Sequence, residues 1–467
     1  MRILKNDNRR FDLHFPIYNW LYPTFLKESE VPKNILGTSF LKNIDNTKIK
    51  ARALYFHIPF CETICTFCPF EKSGFKNYDY VEEYVKSLIN EIRIKGQIKN
   101  VISRPIEVIF FGGGTPSILS PDQIVRIGKE IYNTFDISKL KEFSFEIEVK
   151  SLSNEKLFAM KEIGVTHGRF GLQTFNEKYR KLFNLTSSID QIYRAIEMLN
   201  SALENFSFDM IYGINGQTDQ EFEDDIIKAT KTNTRNIDFY PLNNYVSQIS
   251  LHRAFTVNNL HLGHPFRKLE MNIHLRQKMN ELGFLPHNGH GFFRSNNQSW
   301  QFPIVTDEYT FHYHKHVYGY EDRDIIGFGN SAVSLLNGYT LINESKRSKY
   351  ISSLKSHCLD YTVGKHDINA ASNKAVLMHL PYFGYIDKSR IDWTKIYPET
   401  KVALHELTAN GLIKETEKHL QLTQDGWYWY VNLMYYLSPK FEKDALNLYI
   451  KSISVDKNRN VELSQIE

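Results

Sequence analysis

The strongest signal in the chain is the segment Tyr55-Phe-His-Ile-Pro-Phe-Cys61-Glu-Thr-Ile-Cys65-Thr-Phe-Cys68-Pro-Phe70. It holds three of the four cysteines, with the spacing C-x3-C-x2-C. The apolar run before it, 51–58, predicts a buried strand. Thiolates packed this closely favour a soft metal ion or cluster. We therefore predict a metal site in the loop that follows the first strand.

Three interpretations of Cys61, Cys65 and Cys68 compete. A structural zinc site needs four protein ligands, and this segment offers three cysteines. A cubane iron–sulfur cluster normally takes four cysteines as well. Three thiolates on a cubane leave one iron with an open position, which is a reactive arrangement. Reduced cysteines without a metal are the third possibility, and the spacing after a strand argues against it.

Composition excludes several classes of protein. The chain has 467 residues, a formal net charge of +4, 42% hydrophobic residues and no basic run, so nucleic acid is not a favoured partner. Its apolar stretches are too short for a membrane span. The N-terminus lacks the apolar core of a signal peptide. The small number of cysteines fits a reducing compartment, and we expect a cytoplasmic protein.

Short β-branched runs alternate with longer helical stretches between residues 51 and 245. The candidate strands are 51–58, 106–112, 142–149, 165–172, 206–212 and 236–242. The candidate helices are 78–97, 121–134, 153–163, 188–204 and 218–232. This alternation predicts an α/β fold with a parallel sheet and outer helices. Active sites of such barrels lie at the carboxyl ends of the strands.

Three further units flank this barrel domain. Residues 1–50 form an aromatic, proline-rich arm that we expect to pack across the barrel mouth. Residues 246–368 are polar and irregular at first, and we expect a barrel extension with the substrate cleft. Residues 369–467 predict a helical, winged-helix-like cap with a polar, frayed tail after 440. The cap helices lack the Arg and Lys density of DNA-binding domains.

Candidate ligand-binding residues follow two of the predicted strands. Gly112-Gly113-Gly114-Thr115-Pro116 comes after the second strand, where glycines let the backbone approach a ligand closely. Glu146 and Glu148 alternate on the third strand and share one face, which we predict to point inward. Two inward carboxylates are costly unless they bind something polar.

The cysteine segment resembles the radical S-adenosylmethionine (SAM) signature. More narrowly, Tyr-x-His-Ile-Pro-Phe-Cys-x3-Cys-x-Phe-Cys resembles the oxygen-independent coproporphyrinogen III oxidases and their relatives, and the likeness extends over roughly residues 50–440. In that family the open iron is chelated by SAM, and an electron from the cluster cleaves SAM to give a 5′-deoxyadenosyl radical. The resemblance implies a partial (β/α)6 radical SAM barrel, a [4Fe-4S] cluster on Cys61, Cys65 and Cys68, and one or two SAM molecules.

The resemblance to the family motifs implies a set of SAM-binding positions in this chain. The Gly-Gly-Gly-Thr-Pro segment contacts the SAM amino group in relatives, Glu148 matches a SAM-binding carboxylate, and the 242–243 backbone lies where relatives cradle adenosine. A Gly-rich turn, 327–334, lies beside a second SAM in the oxidases. The implied cofactor-binding residues are Tyr55, Gly113, Gly114, Thr115, Glu148, Gln173, Asp209, Leu242 and Val333. No catalytic side chain is assigned beyond the cofactors.

The chain departs from the family pattern at several positions. Leu185 stands where the oxidases carry an Arg that grips the SAM carboxylate, and Arg169 or Arg180 could replace it. Lys150-Ser151 stands in place of the usual Asn/Asp-Pro. Phe70 occupies the position of a fourth Cys that coproporphyrinogen oxidases have.

A group of histidines, His312, His314 and His316, would share one face if 311–316 were a strand. A metal or heme-iron site is one interpretation, and an aromatic hairpin that lines the substrate cleft is the one we favour. His287 and His290 are open to the same two interpretations.

The family resemblance leaves three functions. We favour a class C-type transfer of a methyl or methylene group from a second SAM to an sp2 carbon of an aromatic or tetrapyrrole substrate. The alternatives are coproporphyrinogen III dehydrogenation and a heme chaperone without turnover, and the arm 1–50 argues against the chaperone. We expect a monomer that takes electrons from an external flavodoxin- or ferredoxin-like donor.

Overall fold

The computed structural model describes residues 1–4, 10–12, 14–15, 17–18, 20–24, 37–261, 265–295 and 311–453. Across these ranges, every helix is too short or too polar to cross a bilayer.

Six parallel strands form the centre of the molecule. They are β1 (Ala51–Ile58), β2 (Ile106–Gly113), β3 (Glu142–Ile147), β4 (His167–Gln173), β5 (Asn205–Tyr212) and β6 (Asn236–Pro241). The strands are neighbours in chain order, and each pair is parallel. Their carboxyl ends therefore gather along one rim. The predicted α/β fold with a partial (β/α)6 barrel is confirmed.

Helices cover the outer face of this barrel and build the cap. They are α1 (Gly37–Lys42), α2 (Tyr78–Gly96), α3 (Lys99–Ile102), α4 (Pro121–Thr134), α5 (Asn154–Glu162), α6 (Glu177–Leu182), α7 (Ile189–Ala202), α8 (Asp219–Thr230), α9 (Ile249–Val257), α10 (Pro265–Glu281), α11 (His312–Tyr318), α12 (Arg347–Lys355), α13 (Ala370–Lys374), α14 (Leu380–Phe383), α15 (Pro398–Ala409), α16 (Gln424–Tyr428), α17 (Tyr430–Leu437) and α18 (Lys440–Ile453). The predicted start of α4 is confirmed, because Ser120 and Gln123 form a capping box ahead of it.

The sheet continues past both edges of the barrel. Beyond β6 it adds the antiparallel hairpin β7 (Phe284–Pro286) and β8 (Gly291–Arg294). Beyond β1 it adds the parallel strand β9 (Arg323–Phe328), then β10 (Val333–Leu336), β11 (Tyr339–Asn343) and β12 (Tyr361–Lys365). The order is β12-β11-β10-β9-β1-β2-β3-β4-β5-β6-β8-β7. The stretch 246–320, which looked irregular in sequence, therefore contains the hairpin β7–β8 and the helices α9 to α11.

The C-terminal unit holds a small antiparallel sheet of β13 (Tyr385–Asp387), β14 (Ile413–Glu415) and β15 (His419–Leu422), in the order β13-β15-β14. This sheet and its helices fit the winged-helix-like prediction. The expectation of a frayed tail directly after residue 440 is wrong, because α18 forms there and buries Leu446 and Ile450 one turn apart.

The described part of the arm packs on this cap. Phe15 stacks on Tyr435 with ring centroids 4.5 Å apart. His14 places Nδ1 2.9 Å from Oδ1 of Asn432, a residue of α17. Tyr18, next along the arm, shares a hydrogen bond with Tyr212 at the end of β5. The described part of the arm thus contacts both the cap and the end of β5.

Candidate functional site

The three cysteines of the predicted metal site lie in the loop after β1, at the carboxyl rim, and all three are free thiols. The backbone of Phe60–Cys61 pairs with Ser73–Gly74 across this loop. Lys72 Nζ donates to the Cys68 carbonyl at 2.6 Å. The Thr115 side chain hydrogen-bonds to the Cys61 thiol, so the turn after β2 contacts the cysteine loop directly.

Burial strongly disfavours the thiolate form of these cysteines without a cation. It raises the pKa of Cys65 to about 12, and the neighbouring Cys68 and Cys61 add to this rise. Burial also raises the pKa of Cys61. A positively charged metal centre reverses this preference, because metal binding requires the thiolate and releases its proton. The loop therefore fits a metal cluster better than it fits three uncompensated thiolates.

The cysteine loop supplies three sulfur ligands for a metal cluster. Within the described ranges, no three His, Cys, Asp or Glu side chains converge on a position for one metal ion. Phe70, at the position of a fourth family cysteine, is 63% exposed and leaves the cysteine loop with three sulfur ligands.

The glycine turn after β2 lies directly against β1. Gly113 has φ +108°, and a Cβ there would lie 2.5 Å from the His57 ring. A Cβ on Gly114 would lie 2.8 Å from the carbonyl oxygens of Ile58 and Phe60. Both positions therefore require glycine. The predicted Gly-Gly-Thr element is in place beside the cysteine loop.

The two glutamates of the third strand separate at its end. Glu146 points into the barrel, where its Oε2 accepts a hydrogen bond from the Gly113 amide at 3.2 Å. β3 ends at Ile147, so Glu148 lies past the strand at the rim. Its Oε2 accepts from the Ser151 amide at 2.8 Å and caps a short turn. The prediction of one shared inward strand face holds for Glu146, whereas Glu148 leaves the strand and occupies the rim.

A buried ionic group fills the middle of the barrel. Arg169 on β4 donates to Asp209 on β5 at 3.0 Å and to Asp238 on β6 at 2.5 Å. Burial raises the pKa of Asp209 to about 6, Arg169 lowers it and Asp238 raises it further. Burial, followed by the charge of Asp209, raises the pKa of Glu146 to about 7. Burial thus raises the pKa of both carboxyl groups.

Neither arginine considered as a replacement for the family Arg is free to act as one. Arg180 Nη1 donates to the carbonyls of Leu172 and Thr174 at 3.1 and 2.9 Å, and Nη2 donates to the carbonyl and hydroxyl of Ser187 at 2.5 and 3.1 Å. Arg169 is bound to two aspartates deeper in the barrel. The hypothesis that either residue replaces the missing Arg is therefore not supported.

A different cation lies next to position 185. Lys150 Nζ is 3.2 Å from Oγ1 of Thr186 and 3.5 Å from Oε1 of Glu62 in the cysteine loop. Leu185 itself packs in an apolar cluster beside Phe67. Lys150 stands where the family has Asn or Asp before Pro. Its positive charge therefore lies at the rim, between the cysteine loop and the turn after α6.

The remaining predicted SAM contacts spread around the rim. Gln173 ends β4 with φ +72°. The Leu242 amide donates to the Tyr212 carbonyl at 2.8 Å, and the Leu242 carbonyl accepts from the ammonium of Lys268. Val333 begins β10, and Tyr55 Oη lies 3.0 Å from His57 Nδ1. Gly113, Gly114, Glu148, Gln173 and Leu242 therefore lie at or past the carboxyl ends of their strands, whereas Tyr55 and Asp209 lie within β1 and β5 and Val333 lies on the far side of β1.

Several side chains of the barrel interior and of α10 and α11 are deeply placed and yet partly exposed, and we infer a cavity between them. They are Tyr55, Glu146, Asp209, Tyr240, Lys268, Tyr313 and His314. Sequence reasoning missed Tyr240 and Lys268 as lining residues, whereas Tyr313 belongs to the 311–316 segment that was expected to line the substrate cleft. Tyr240 stands one residue before the end of β6, which was an available signal, whereas Lys268 reaches the site from the unpredicted helix α10.

The histidine group is not one metal site. Residues 312–318 form the helix α11 rather than a strand, so His314 points away from the side shared by His312 and His316. His316 Nδ1 and Nε2 contact the Asp324 carbonyl and Glu107 Oε2 at 3.0 and 3.2 Å. His314 Nδ1 lies 2.9 Å from Tyr382 Oη. The interpretation of three histidines on one strand face is wrong because the segment is helical.

Comparison with known proteins agrees with this geometry. Residues 55–228 match the family model described as the radical SAM superfamily. The chain is 25% identical to the anaerobilin synthase of Escherichia coli O157:H7 over 86% of this chain and 88% of that protein. It is 26% identical to the heme chaperone HemW of Bacillus subtilis (strain 168) over 80% and 96% of the two chains.

The oxygen-independent coproporphyrinogen III oxidase of Escherichia coli (strain K12) is 24% identical over 87% of this chain and 88% of its own. The solved structure of coproporphyrinogen III oxidase (HemN) from Escherichia coli superposes with a TM-score of 0.74 at 20% identity, and covers 89% of this chain and 96% of that one. At that identity, the superposition establishes the fold.

Proposed function

This chain is a radical SAM enzyme of the oxygen-independent coproporphyrinogen III oxidase-like family, and we propose that it transfers a SAM-derived one-carbon group to an sp2 carbon of a tetrapyrrole. The observation that carries the proposal is the group of partly exposed aromatic rings in the barrel interior, Tyr55, Tyr240, Tyr313 and His314, on strands whose carboxyl ends share a rim with the three cysteines.

The rim residues fit the cofactors that this family uses. We assign Cys61, Cys65 and Cys68 to a [4Fe-4S] cluster, which supplies the electron that cleaves SAM when it is bound and reduced by an external donor. Gly113 and Gly114 are partly exposed beside the cysteines, and Thr115 hydrogen-bonds to the Cys61 thiol, so the turn lies where a ligand of the cluster would bind. The further SAM contacts that we assign to one or both of two SAM molecules are Tyr55, Glu148, Gln173, Asp209, Leu242 and Val333.

Lys150 supplies the positive charge for the SAM carboxylate in this proposal. Its ammonium lies beside Thr186 and Glu62, and it is 27% exposed. A lysine with two contacts retains a third N–H donor for a ligand. The other cation of the cysteine loop, Lys72, already donates to the carbonyls of Cys68 and Phe70.

A tetrapyrrole suits the cavity because its walls combine flat aromatic rings with a cation. The rings of Tyr313 and Phe110 stack with centroids 4.5 Å apart and an interplanar angle of 15°. Burial lowers the pKa of Lys268 to about 8, and among the described residues no carboxylate lies within ion-pair distance of it. The Lys268 ammonium can therefore pair with a carboxylate substituent of the substrate and donate a hydrogen bond to it. The names of the relatives, anaerobilin synthase, heme chaperone and coproporphyrinogen III oxidase, also point to tetrapyrroles.

Two observations favour carbon transfer over the other two candidate functions. Phe70 replaces the fourth cysteine that the resemblance implies for coproporphyrinogen oxidation. Glu146 and Asp209 place two carboxyl groups among these side chains, and an enzyme can use such groups to move a proton to or from a bound substrate.

The decisive experiment is an anaerobic product analysis. The cluster is reconstituted and reduced, SAM and a panel of tetrapyrroles are added, and the products are separated by chromatography. We expect 5′-deoxyadenosine, S-adenosylhomocysteine and a tetrapyrrole that carries label from methyl-labelled SAM. 5′-Deoxyadenosine and methionine without label transfer would contradict the proposal in favour of dehydrogenation. Tight heme binding without SAM cleavage would favour the chaperone.

A further inference from the structure

We propose that Tyr84 of α2 is a positioning residue for the second SAM molecule. Its hydroxyl joins the turn between β9 and β10, which Glu91 holds, to the end of β1. The second SAM rests on the proposed function, whereas the support of the turn rests on the contacts that α2 makes with the turn and with β1.

The turn at residues 329–332 has a backbone conformation that needs support. Gly329 has φ +97°, and Ser331, which carries a side chain, has φ +59°. A residue other than glycine in this left-handed region costs free energy and persists only where its surroundings hold it. Val333, one of the assigned SAM contacts, follows the turn directly. The position of Val333 therefore depends on what holds the turn.

Glu91 holds the turn through the turn's backbone. Its Oε2 accepts a hydrogen bond from the Gly329 amide at 2.7 Å. Lys95, its partner in an ion pair, lies 2.6 Å from Oε1 and donates to the Gly327 carbonyl at 2.5 Å. Asn343 donates to Glu91 Oε1 and to the Gly329 carbonyl, at 2.8 and 2.7 Å. The polar groups of the ion pair are thus spent on the entrance to the turn.

This ion pair is better suited to fixing geometry than to adding stability. The side chains of Glu91 and Lys95 are both 0% exposed. Taking two charges out of water costs much of the free energy that their attraction returns, and apolar residues in the same place are often as stable. The buried amide and carbonyls of the turn do need partners, however, because water cannot reach them. The pair supplies those partners at fixed positions.

Tyr84 connects the turn to the strand that leads into the cysteine loop. Its hydroxyl donates to the His57 carbonyl at 2.6 Å and accepts from the Asn330 amide at 3.3 Å. A Cβ on Gly329 would lie 2.5 Å from the His57 carbonyl oxygen and from the Tyr84 hydroxyl, so the two backbones touch here. His57 stands four residues before Cys61. One hydroxyl thus bridges the turn and the segment that carries the first assigned cluster ligand.

This bridge matters for a reaction that uses two SAM molecules in separate roles. The second SAM is useful only where it can reach the substrate, and a misplacement of about 1 Å can slow a reaction about a hundredfold. A turn that is loosely joined to β1 should therefore leave SAM cleavage at the cluster intact and impair transfer from the second SAM.

The test compares Tyr84→Phe with Tyr350→Phe. Each change removes the hydroxyl of a buried tyrosine, and Tyr350 is the matched control because its hydroxyl donates to Glu91 Oε2 at 2.7 Å, on the other side of the ion pair. Equilibrium dialysis of labelled SAM against the cluster-loaded protein counts the binding sites. We expect two equal sets of sites in wild type and Tyr350→Phe. In Tyr84→Phe one site should be unchanged and the other weakened about fivefold.

Product analysis gives a second, independent ratio. In Tyr84→Phe, the label transferred per molecule of 5′-deoxyadenosine should fall about tenfold, whereas 5′-deoxyadenosine formation should stay near the wild-type level. Tyr350→Phe should keep the wild-type ratio. A general loss of stability would lower both products together, so the ratio separates positioning from a merely structural role.

Amide hydrogen exchange tests the support of the turn without any cofactor. The Asn330 amide should exchange about fivefold faster in cofactor-free Tyr84→Phe than in wild type, because it loses its acceptor. Tyr350→Phe should show wild-type exchange at this amide. Equal weakening of both SAM sites in Tyr84→Phe, or the same loss of one site in Tyr350→Phe, would overturn the inference.

Failure of this inference is distinguishable from failure of the proposed function. Two SAM sites in wild type, one of them weakened in Tyr84→Phe, without SAM-derived carbon on any tetrapyrrole would support the role of Tyr84 and contradict the transfer reaction. Label transfer at the same rate in wild type and Tyr84→Phe would support the transfer reaction and overturn the role of Tyr84. A single SAM site in wild type would overturn the inference as well.

Discussion

Lys150 holds its ammonium 3.2 Å from the hydroxyl of Thr186, the residue that follows Leu185. Position 185 thus has no cation, but Lys150, in the turn after β3, places its ammonium next to that position. The two departures from the family pattern, at 150 and at 185, are neighbours in space, and this makes a compensating exchange testable.

Lys150→Met should weaken SAM binding about tenfold, because a hydrogen bond to a charged group contributes on the order of 1.5–3 kcal/mol. Equilibrium dialysis of labelled SAM against the cluster-loaded protein measures the effect. Lys161→Met, on the exposed side of α5, is the control and should bind normally. Adding Leu185→Arg to Lys150→Met should restore affinity. Unchanged SAM affinity in Lys150→Met would remove Lys150 from the site.

Arg180→Met should destabilise the fold without a specific loss of SAM binding. The guanidinium donates to the carbonyls of Leu172 and Thr174 in buried contacts and to the carbonyl of Ser187 in a partly buried one, and the Met side chain leaves all three without this donor. We expect a loss of about 3 kcal/mol or more in unfolding free energy from urea denaturation. If Arg180→Met has normal stability but binds SAM poorly, Arg180 is a SAM-binding residue after all.

Cys61→Ala, Cys65→Ala and Cys68→Ala should each abolish the brown cluster absorbance and reduce the iron content after anaerobic reconstitution. Each removes one of three sulfur ligands from a loop that has no spare cysteine. Cys358→Ala is the matched control, since its thiol contacts the Ser356 carbonyl beyond α12. A full complement of iron in any of the first three variants would refute the cluster assignment.

The barrel was predictable from sequence because its signals are local. Apolar runs predicted the six strands, and Ser120 followed by Pro121 predicted the start of α4. The failures come from long-range contacts. The helix at 312–318 is stabilised by packing on β1 and β2, and the engagement of Arg180 depends on carbonyls from two turns. The internal cavity likewise joins residues from β1, β3, β5, β6, α10 and α11, which no local pattern connects.

Glu148→Gln should weaken SAM binding and leave the iron content intact. The amide oxygen of Gln can still accept from the Ser151 amide, which Glu148 Oε2 does at 2.8 Å, so the turn after β3 should keep its cap. The change therefore removes a charge and keeps the local structure. Isothermal titration with SAM and an iron assay on the same sample separate the two effects. Loss of iron instead of SAM affinity would make Glu148 a structural residue of the cysteine loop.

Glu146→Gln should make the stability of the protein less dependent on pH. Burial raises the pKa of Glu146 from 4.5 to about 7, so the folded state holds this proton where the unfolded chain has released it. The contribution of Glu146 to stability is therefore full below about pH 4.5, falls as pH rises, and levels off above about pH 7. The whole change corresponds to roughly 3 kcal/mol.

Urea denaturation at pH 5 and pH 8 measures this effect. The gain of Glu146→Gln over wild type should be larger at pH 8, because the variant has no buried carboxylate to ionise, while its amide oxygen can still accept from the Gly113 amide as Glu146 does. Glu204→Gln, at an exposed position, should show no such difference between the two pH values. Equal gains at pH 5 and pH 8 would mean that Glu146 ionises in the folded protein as easily as in water, and that it is not the neutral-pH acid of the cavity.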